Sequence, residues 1–236
     1  MVDSLIILEQ LKSPIAEAYR TLRTNIQFAS VDLKNKKIMI TSSGPGEGKS
    51  FTIANLAVSM VNAGESVLII DADLRKPTQH KIFELNNEEG LSSALVQGQE
   101  YKKYLKETSV VGLSVLTSGP IPPNPAELLG SKRMKCLLEE VSKHFNIILI
   151  DTPPIIAVTD AAIIAQEVDG VIFILAYGEV NKDLVKSAKE QLDKVGAKIL
   201  GAVINKIDMK ANEYHYYYRS YDADHKKKKK HRQYDS

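Results

Sequence analysis

The sequence predicts an α/β fold: a doubly wound, mostly parallel sheet with helices on both faces. Two observations carry that expectation. Short runs such as Val67-Leu68-Ile69-Ile70 and Ile147-Ile148-Leu149-Ile150 are apolar at every position, as strands covered on both faces must be. Amphipathic stretches of helical length separate such runs, and a repeated strand–helix order builds parallel sheets. The first helix is expected over 14–29, with Ser13 as its cap, Pro14 in its first turn and Glu17 completing the start. A strand over 37–41 then runs into a glycine-rich turn and a helix over 50–63. Strands follow at 66–70 and, more weakly, at 113–117. The rigid segment Ile121-Pro122-Pro123-Asn124-Pro125 precedes a helix over 126–144. A strand at 147–150, a helix at 158–167, a strand at 170–176, a helix at 181–194 and a strand at 198–205 complete the body.

Composition bounds the class. Of 236 residues, 44% are hydrophobic and 25% charged, enough to bury a core and too many for wholesale disorder. The one cysteine, Cys136, excludes a disulfide framework and a cysteine-rich metal site, and its helical stretch reads it as a packing residue. No apolar run approaches the ~18–20 residues that cross a bilayer. Leu5-Ile6-Ile7-Leu8 is too short for a signal core, so the expected location is cytoplasmic, with any membrane attachment made through a partner.

The net charge of +2 hides an asymmetry. Residues 206–236 hold nine Lys or Arg against five acids, whereas residues 1–205 hold 22 against 24. Six of the ten tyrosines also fall in this tail: Tyr214, Tyr216, Tyr217, Tyr218, Tyr221 and Tyr234. A segment so polar cannot offset the entropy of a fixed fold, so the reading is a body over 1–205 and a flexible tail over 206–236. Lysines Lys226 to Lys230 beside tyrosines also suit nucleic acid or acidic lipid, but the body has no matching basic excess, and no nucleic-acid partner is expected.

The strongest chemical signal is Ser43-Gly44-Pro45-Gly46-Glu47-Gly48-Lys49-Ser50, which follows a strand and opens a helix. Its glycines let the backbone wrap an anion, and the helix start adds a favourable dipole. Lys49 is placed to reach β- and γ-phosphates and Ser50 to ligate Mg²⁺. The expected nucleotide contacts are Gly44, Pro45, Gly46, Glu47, Gly48, Lys49, Ser50 and Phe51, with Asn205 towards the base. Three aspartates sit at or just past strand ends, where open α/β sheets place their chemistry. Asp151 follows one strand and reads as a metal carboxylate. Asp71 and Asp73 follow another, and their i, i+2 spacing turns both to one side if the segment is extended. Arg75 and Lys76 are placed to neutralise phosphate, or simply to face solvent. The five histidines show no metal-ligand spacing.

In combination, Gly-Pro-Gly-Glu-Gly-Lys-Ser, Val-Leu-Ile-Ile-Asp-Ala-Asp-Leu-Arg-Lys-Pro (67–77) and Ile-Ile-Leu-Ile-Asp-Thr-Pro-Pro (147–154) resemble the bacterial tyrosine kinases of capsule and exopolysaccharide synthesis. Glu17-Ala-Tyr-Arg20-Thr-Leu-Arg23 is similar to that family's Glu-x-x-Arg-x-x-Arg helix motif, and the tyrosine-rich end to its autophosphorylation cluster. The resemblance spans nearly the whole chain and points to the stand-alone kinase form. It implies a P-loop NTPase of the deviant Walker A (MinD/ParA-like) group that uses ATP and Mg²⁺. Ser50, Asp73 and Asp151 would serve the metal. Lys49 and Asp73 would act in catalysis, with Asp71 accepting the proton of an incoming tyrosine. Tail tyrosines of a neighbouring subunit would receive the phosphoryl group. It also implies a ring-type homo-oligomer closed through Glu17, Arg20 and Arg23, a membrane activator acting through its cytoplasmic segment, and a tyrosine phosphatase. From spacing alone those three residues suit an intrahelical ion-pair face equally well.

Three other readings compete. Partitioning ATPases carry a second lysine early in the loop, where this chain has Gly44. Asn205-Lys206-Ile207-Asp208 matches the guanine-reading Asn-Lys-x-Asp pattern, but Asp151-Thr152-Pro153-Pro154 puts a proline, without an amide proton, where GTPases use a glycine N–H. A non-catalytic module that ATP merely switches has no need of the intact Lys49, Ser50, Asp71, Asp73 and Asp151 set.

Overall fold

The structure, a computed structural model, describes residues 5–10, 13–29, 36–98 and 100–207. The body up to Lys206 forms one compact unit. Its elements run α1 (Ile6–Glu9), α2 (Pro14–Ala29), β1 (Lys36–Ser42), α3 (Lys49–Val61), β2 (Val67–Asp71), α4 (Gln79–Ile82) and α5 (Leu91–Gln97). After a 3₁₀ turn at Tyr101–Tyr104 come β3 (Lys106–Glu107), β4 (Leu113–Leu116), α6 (Pro125–Leu129), α7 (Lys132–Val141) and β5 (Ile147–Asp151). The chain then forms α8 (Asp160–Ala165), β6 (Gly170–Ala176), α9 (Lys182–Lys194) and β7 (Ile199–Asn205).

Seven strands make one sheet in the order β3-β4-β2-β5-β1-β6-β7. Every neighbouring pair is parallel except β3 with β4. Alternation within each strand feeds two cores. Met39, Leu68, Ile70, Ile148, Ile150 and Phe173 face the helices α5 to α9. Ile38, Ile40, Ile69, Leu149, Ile172 and Ile174 face α1, α2 and α3. The doubly wound arrangement therefore stands as the sequence predicts it. Coverage fails only at the margin: β7 leaves Gly201, Ala202 and Ile204 exposed although its sequence is apolar on both sides.

At α2 the predicted cap is present, with Ser13 Oγ accepting the Ala16 N–H at 3.1 Å. The long helix expected over 126–144 is instead two helices. α6 ends at Leu129 with Gly130 as its C-cap, and Ser131 caps α7 by accepting the Met134 N–H at 3.3 Å, so a serine cap competes successfully with helix continuation. Cys136 is exposed rather than packed, because the buried stripe of α7 is Met134, Leu137, Leu138 and Val141. The short elements α1, α4, α5 and β3 have too few residues to show a period in sequence. Among the described residues, no helix is long and apolar enough to cross a membrane.

Candidate active site

The glycine-rich loop leaves β1 at Ser42 and enters α3 at Lys49. Gly48 precedes the helix with φ +90°, and a Cβ there would lie 2.1 Å from Asn205 Nδ2. Only glycine fits both constraints. No side chain caps α3, so its first backbone N–H groups are left for an anion. Lys49 opens the helix with most of its surface buried.

Glu47, expected among the nucleotide contacts, is a structural tie. Its buried carboxylate accepts from the Ser43 hydroxyl (2.7 Å), the Gly44 N–H and the Ala176 N–H (3.0 Å), joining the loop to the end of β6. Its carbonyl accepts from Asn205 Nδ2 at 3.0 Å, which joins the loop to the end of β7. Asn205 thus lies against the loop backbone on the β6–β7 side of β1. Phe51 is half-buried in the first turn of α3.

The carboxylates lie on the other side of β1. Asp71 and Asp151 are register partners at the ends of adjacent parallel strands, and both are wholly buried. Asp71 Oδ2 accepts the N–H groups of Thr78 and Gln79, each at 3.0 Å. Asp151 Oδ2 accepts from Gln79 Nε2 at 2.7 Å, and Ser50 lies near enough to favour the charged form of this carboxylate. The second oxygen of each acid, Asp71 Oδ1 and Asp151 Oδ1, is sealed from solvent without a donor. Burial, then the charge of Asp151, push the Asp71 carboxyl well above its usual range. Burial likewise pushes Asp151 up to about 6, against the lowering effect of Ser50, Gln79 and the Lys49 charge. Two buried carboxyls side by side, each with an oxygen that accepts nothing, are well matched to a divalent cation. With Ser50 beside them, the donor set is the hard-oxygen kind that holds Mg²⁺ together with phosphate.

Asp73 differs from expectation. β2 ends at Asp71, so the extended i, i+2 relation does not persist. Instead Asp73 Oδ1 accepts the N–H groups of Arg75 (3.3 Å) and Lys76 (3.0 Å) in a turn. It remains close enough for its charge to raise both Asp71 and Asp151. Arg75, read as a phosphate partner, makes two parallel bonds of 2.9 Å to the buried Asp160 at the start of α8. That fork geometry ties a loop to a helix. On α2, Arg20 pairs with Glu17 at 2.6 Å, as the intrahelical reading allows, while Arg23 Nη1 reaches across to the Ser59 carbonyl at 2.7 Å. Sequence reasoning missed Gln79 altogether. The six tail tyrosines and Asp208 lie outside the described residues.

Comparison with known proteins fits this geometry. Residues 34–234 match the ParA family, described as NUBPL iron-transfer P-loop NTPase. Tyrosine-protein kinase YwqD of Bacillus subtilis (strain 168) is 48% identical over 218 residues, 92% of each chain. The chain belongs to the bacterial tyrosine kinases of the capsule type. Two solved structures agree. The chimerical protein CapA2B2 superposes with a TM-score of 0.84 at 46% identity, covering 89% of this kinase and 92% of that chain. The kinase domain of Escherichia coli tyrosine kinase ETK gives 0.82 at 34% identity, over 87% and 82%. The septum site-determining protein MinD of Pyrococcus horikoshii OT3, at 19% identity, shares the fold with a TM-score of 0.63 over 75% of this kinase and 72% of that chain.

Proposed function

We propose that this tyrosine kinase moves the γ-phosphoryl group of ATP to tyrosines in the C-terminal tail of a neighbouring copy, and so regulates capsule or exopolysaccharide synthesis and export. The supporting observation is the pair of in-register buried carboxylates, each with one undonated oxygen, beside Ser50 and Lys49. In this reading the loop Gly44 to Ser50, with Phe51, holds the triphosphate by backbone N–H groups, Glu47 acting by shaping the loop. Asn205 lies towards the base. Lys49 offsets phosphate charge, while Ser50, Asp151 and Asp73 hold Mg²⁺. When bound, Mg²⁺ neutralises charge on the phosphates as the transfer proceeds. The bond between the γ-phosphorus and the oxygen leaving with ADP breaks, and a bond to the phenol oxygen forms. Asp71 takes the phenol proton as general base.

A tail from residue 206 onward presents Tyr214, Tyr216, Tyr217, Tyr218, Tyr221 and Tyr234. Each phosphoryl group adds about −1.5 to −2 charge. Several would reverse the tail's positive sign and release it from the neighbour. Glu17, Arg20 and Arg23 are assigned to the ring contact, Arg23 partly through its grip on Ser59. A membrane activator acting through a cytoplasmic segment recruits the kinase to the inner face of the membrane, and a tyrosine phosphatase resets it.

The test is incubation with ATP and Mg²⁺, wild type against Lys49→Met, with and without a candidate activator. Anti-phosphotyrosine signal and tail mass shifts are expected in wild type alone. Label recovered only as inorganic phosphate, or an unmodified tail in assembled and activated protein, would overturn the assignment.

A further inference from the structure

Gln79 stands between the two acids and the phosphate loop, fully buried. Its backbone N–H donates to Asp71 Oδ2 at 3.0 Å. Its side-chain Nε2 donates to Asp151 Oδ2 at 2.7 Å and to the Ser50 carbonyl at 3.1 Å. Both Nε2 partners are pure acceptors, so the amide orientation is fixed: turning it over would set an oxygen against two oxygens. Oε1 is thereby left sealed from solvent with no donor. It joins Asp71 Oδ1 and Asp151 Oδ1, so three undonated acceptor oxygens belong to three residues linked by hydrogen bonds. A buried acceptor without a donor carries its full desolvation penalty. A fold that keeps three of them together has a cationic or proton-donating occupant for them.

We infer that Gln79 is the positioning residue of the cation site and that Oε1 accepts a hydrogen bond from water carried by the cation. By engaging Asp151 at one oxygen, Gln79 leaves the other free for metal. By engaging the Ser50 carbonyl as well, it fixes the distance between that acid and the hydroxyl that shares the cation. Groups that orient metal ligands in this way are worth roughly 10–100-fold in metal affinity. The inference rests on the reading of Asp151 and Ser50 as cation ligands. The competing role for Gln79 is a peg between the end of β2 and α3, which would alter stability without altering cation affinity.

The experiment measures Mn²⁺ binding to the full-length kinase–ADP complex by electron paramagnetic resonance. In parallel, a fluorescent ADP analogue is titrated in EDTA, and thermal melts report folding. Gln79→Met keeps the length and shape of the side chain without its polar atoms, and should weaken Mn²⁺ roughly 10–100-fold while metal-free ADP affinity stays within about twofold. Gln79→Asn, one methylene too short to span both partners, should also weaken Mn²⁺ and serves if the methionine variant does not fold. Folded Gln79 variants that bind Mn²⁺ as wild type does, while Asp151→Asn loses it, overturn the role of Gln79 alone. An Asp151→Asn variant that binds Mn²⁺ normally overturns the ligand set, and the role of Gln79 with it.

Discussion

Replacing Asp151 by asparagine should make the nucleotide-free kinase more stable while ending its activity. Asp151 is wholly buried beside Asp71, and its carboxyl is pushed from 3.8 up to about 6. Its proton is therefore held more tightly in the folded than in the unfolded chain. Folding takes up protons through this group, so stability is highest below pH 3.8 and is lost as pH rises towards and past about 6. A difference of about 2 in pKa corresponds to on the order of 3 kcal/mol lost at pH 7.5. Between pH 5 and 7.5 the wild type should lose on the order of half of this. Asparagine imitates the protonated acid, keeping an acceptor for Gln79 and removing the repulsion with Asp71. In EDTA at pH 7.5 the variant should gain roughly 6–12 °C in melting temperature, with a flatter pH dependence between 5 and 7.5. Saturating Mg²⁺–ATP should narrow the difference, because the ligand stabilises the wild type more than the variant. A variant that melts at or below wild type in EDTA, with an unchanged pH slope, would refute the claim that the buried pair destabilises the unliganded fold.

Two further outcomes test other parts of the molecule. Gly48→Ala places a Cβ 2.1 Å from Asn205 Nδ2 at φ +90°, and should cost about 1–3 kcal/mol of loop strain and at least tenfold in nucleotide affinity, read by thermal melts and a fluorescent ADP analogue. Arg20→Ala loses a half-exposed intrahelical pair, worth about 0.3–0.5 kcal/mol, so its melting temperature should barely move while light scattering reports single subunits. An unchanged mass would remove Arg20 from the ring contact.

The places of the glycine-rich loop, between strand and helix, and of Asp151, at a strand end, are legible in sequence because both are local patterns. The geometry of Asp73 is not legible in this way, since the point where β2 stops depends on the turn that follows rather than on the strand's own residues. The ties that shape the site are long-range. Gln79 meets Ser50 and Asp151 from 29 and 72 positions away, Arg75 meets Asp160 from 85, and Glu47 meets Ala176 from 129. Nothing in the local pattern around a glutamine or a loop glutamate announces such partners. The same holds for Arg23, whose spacing on α2 suggests a shared surface stripe but whose guanidinium reaches Ser59 on another helix. Cys136 and the break at Gly130 show a narrower limit, because one serine cap reset the register and turned the thiol outward.

The helix that begins at Lys49 is buried along nearly its whole length and gripped near its far end by Arg23. One flank of the nucleotide cradle therefore rests on a footing that has nowhere to move. The opposite flank hangs from Ala176 and Asn205, at the tips of the last two strands, beside the exposed Ala202 and Ile204 of β7. The cradle is thus backed by packed side chains on one flank and by two backbone and amide hydrogen bonds at a sheet margin on the other.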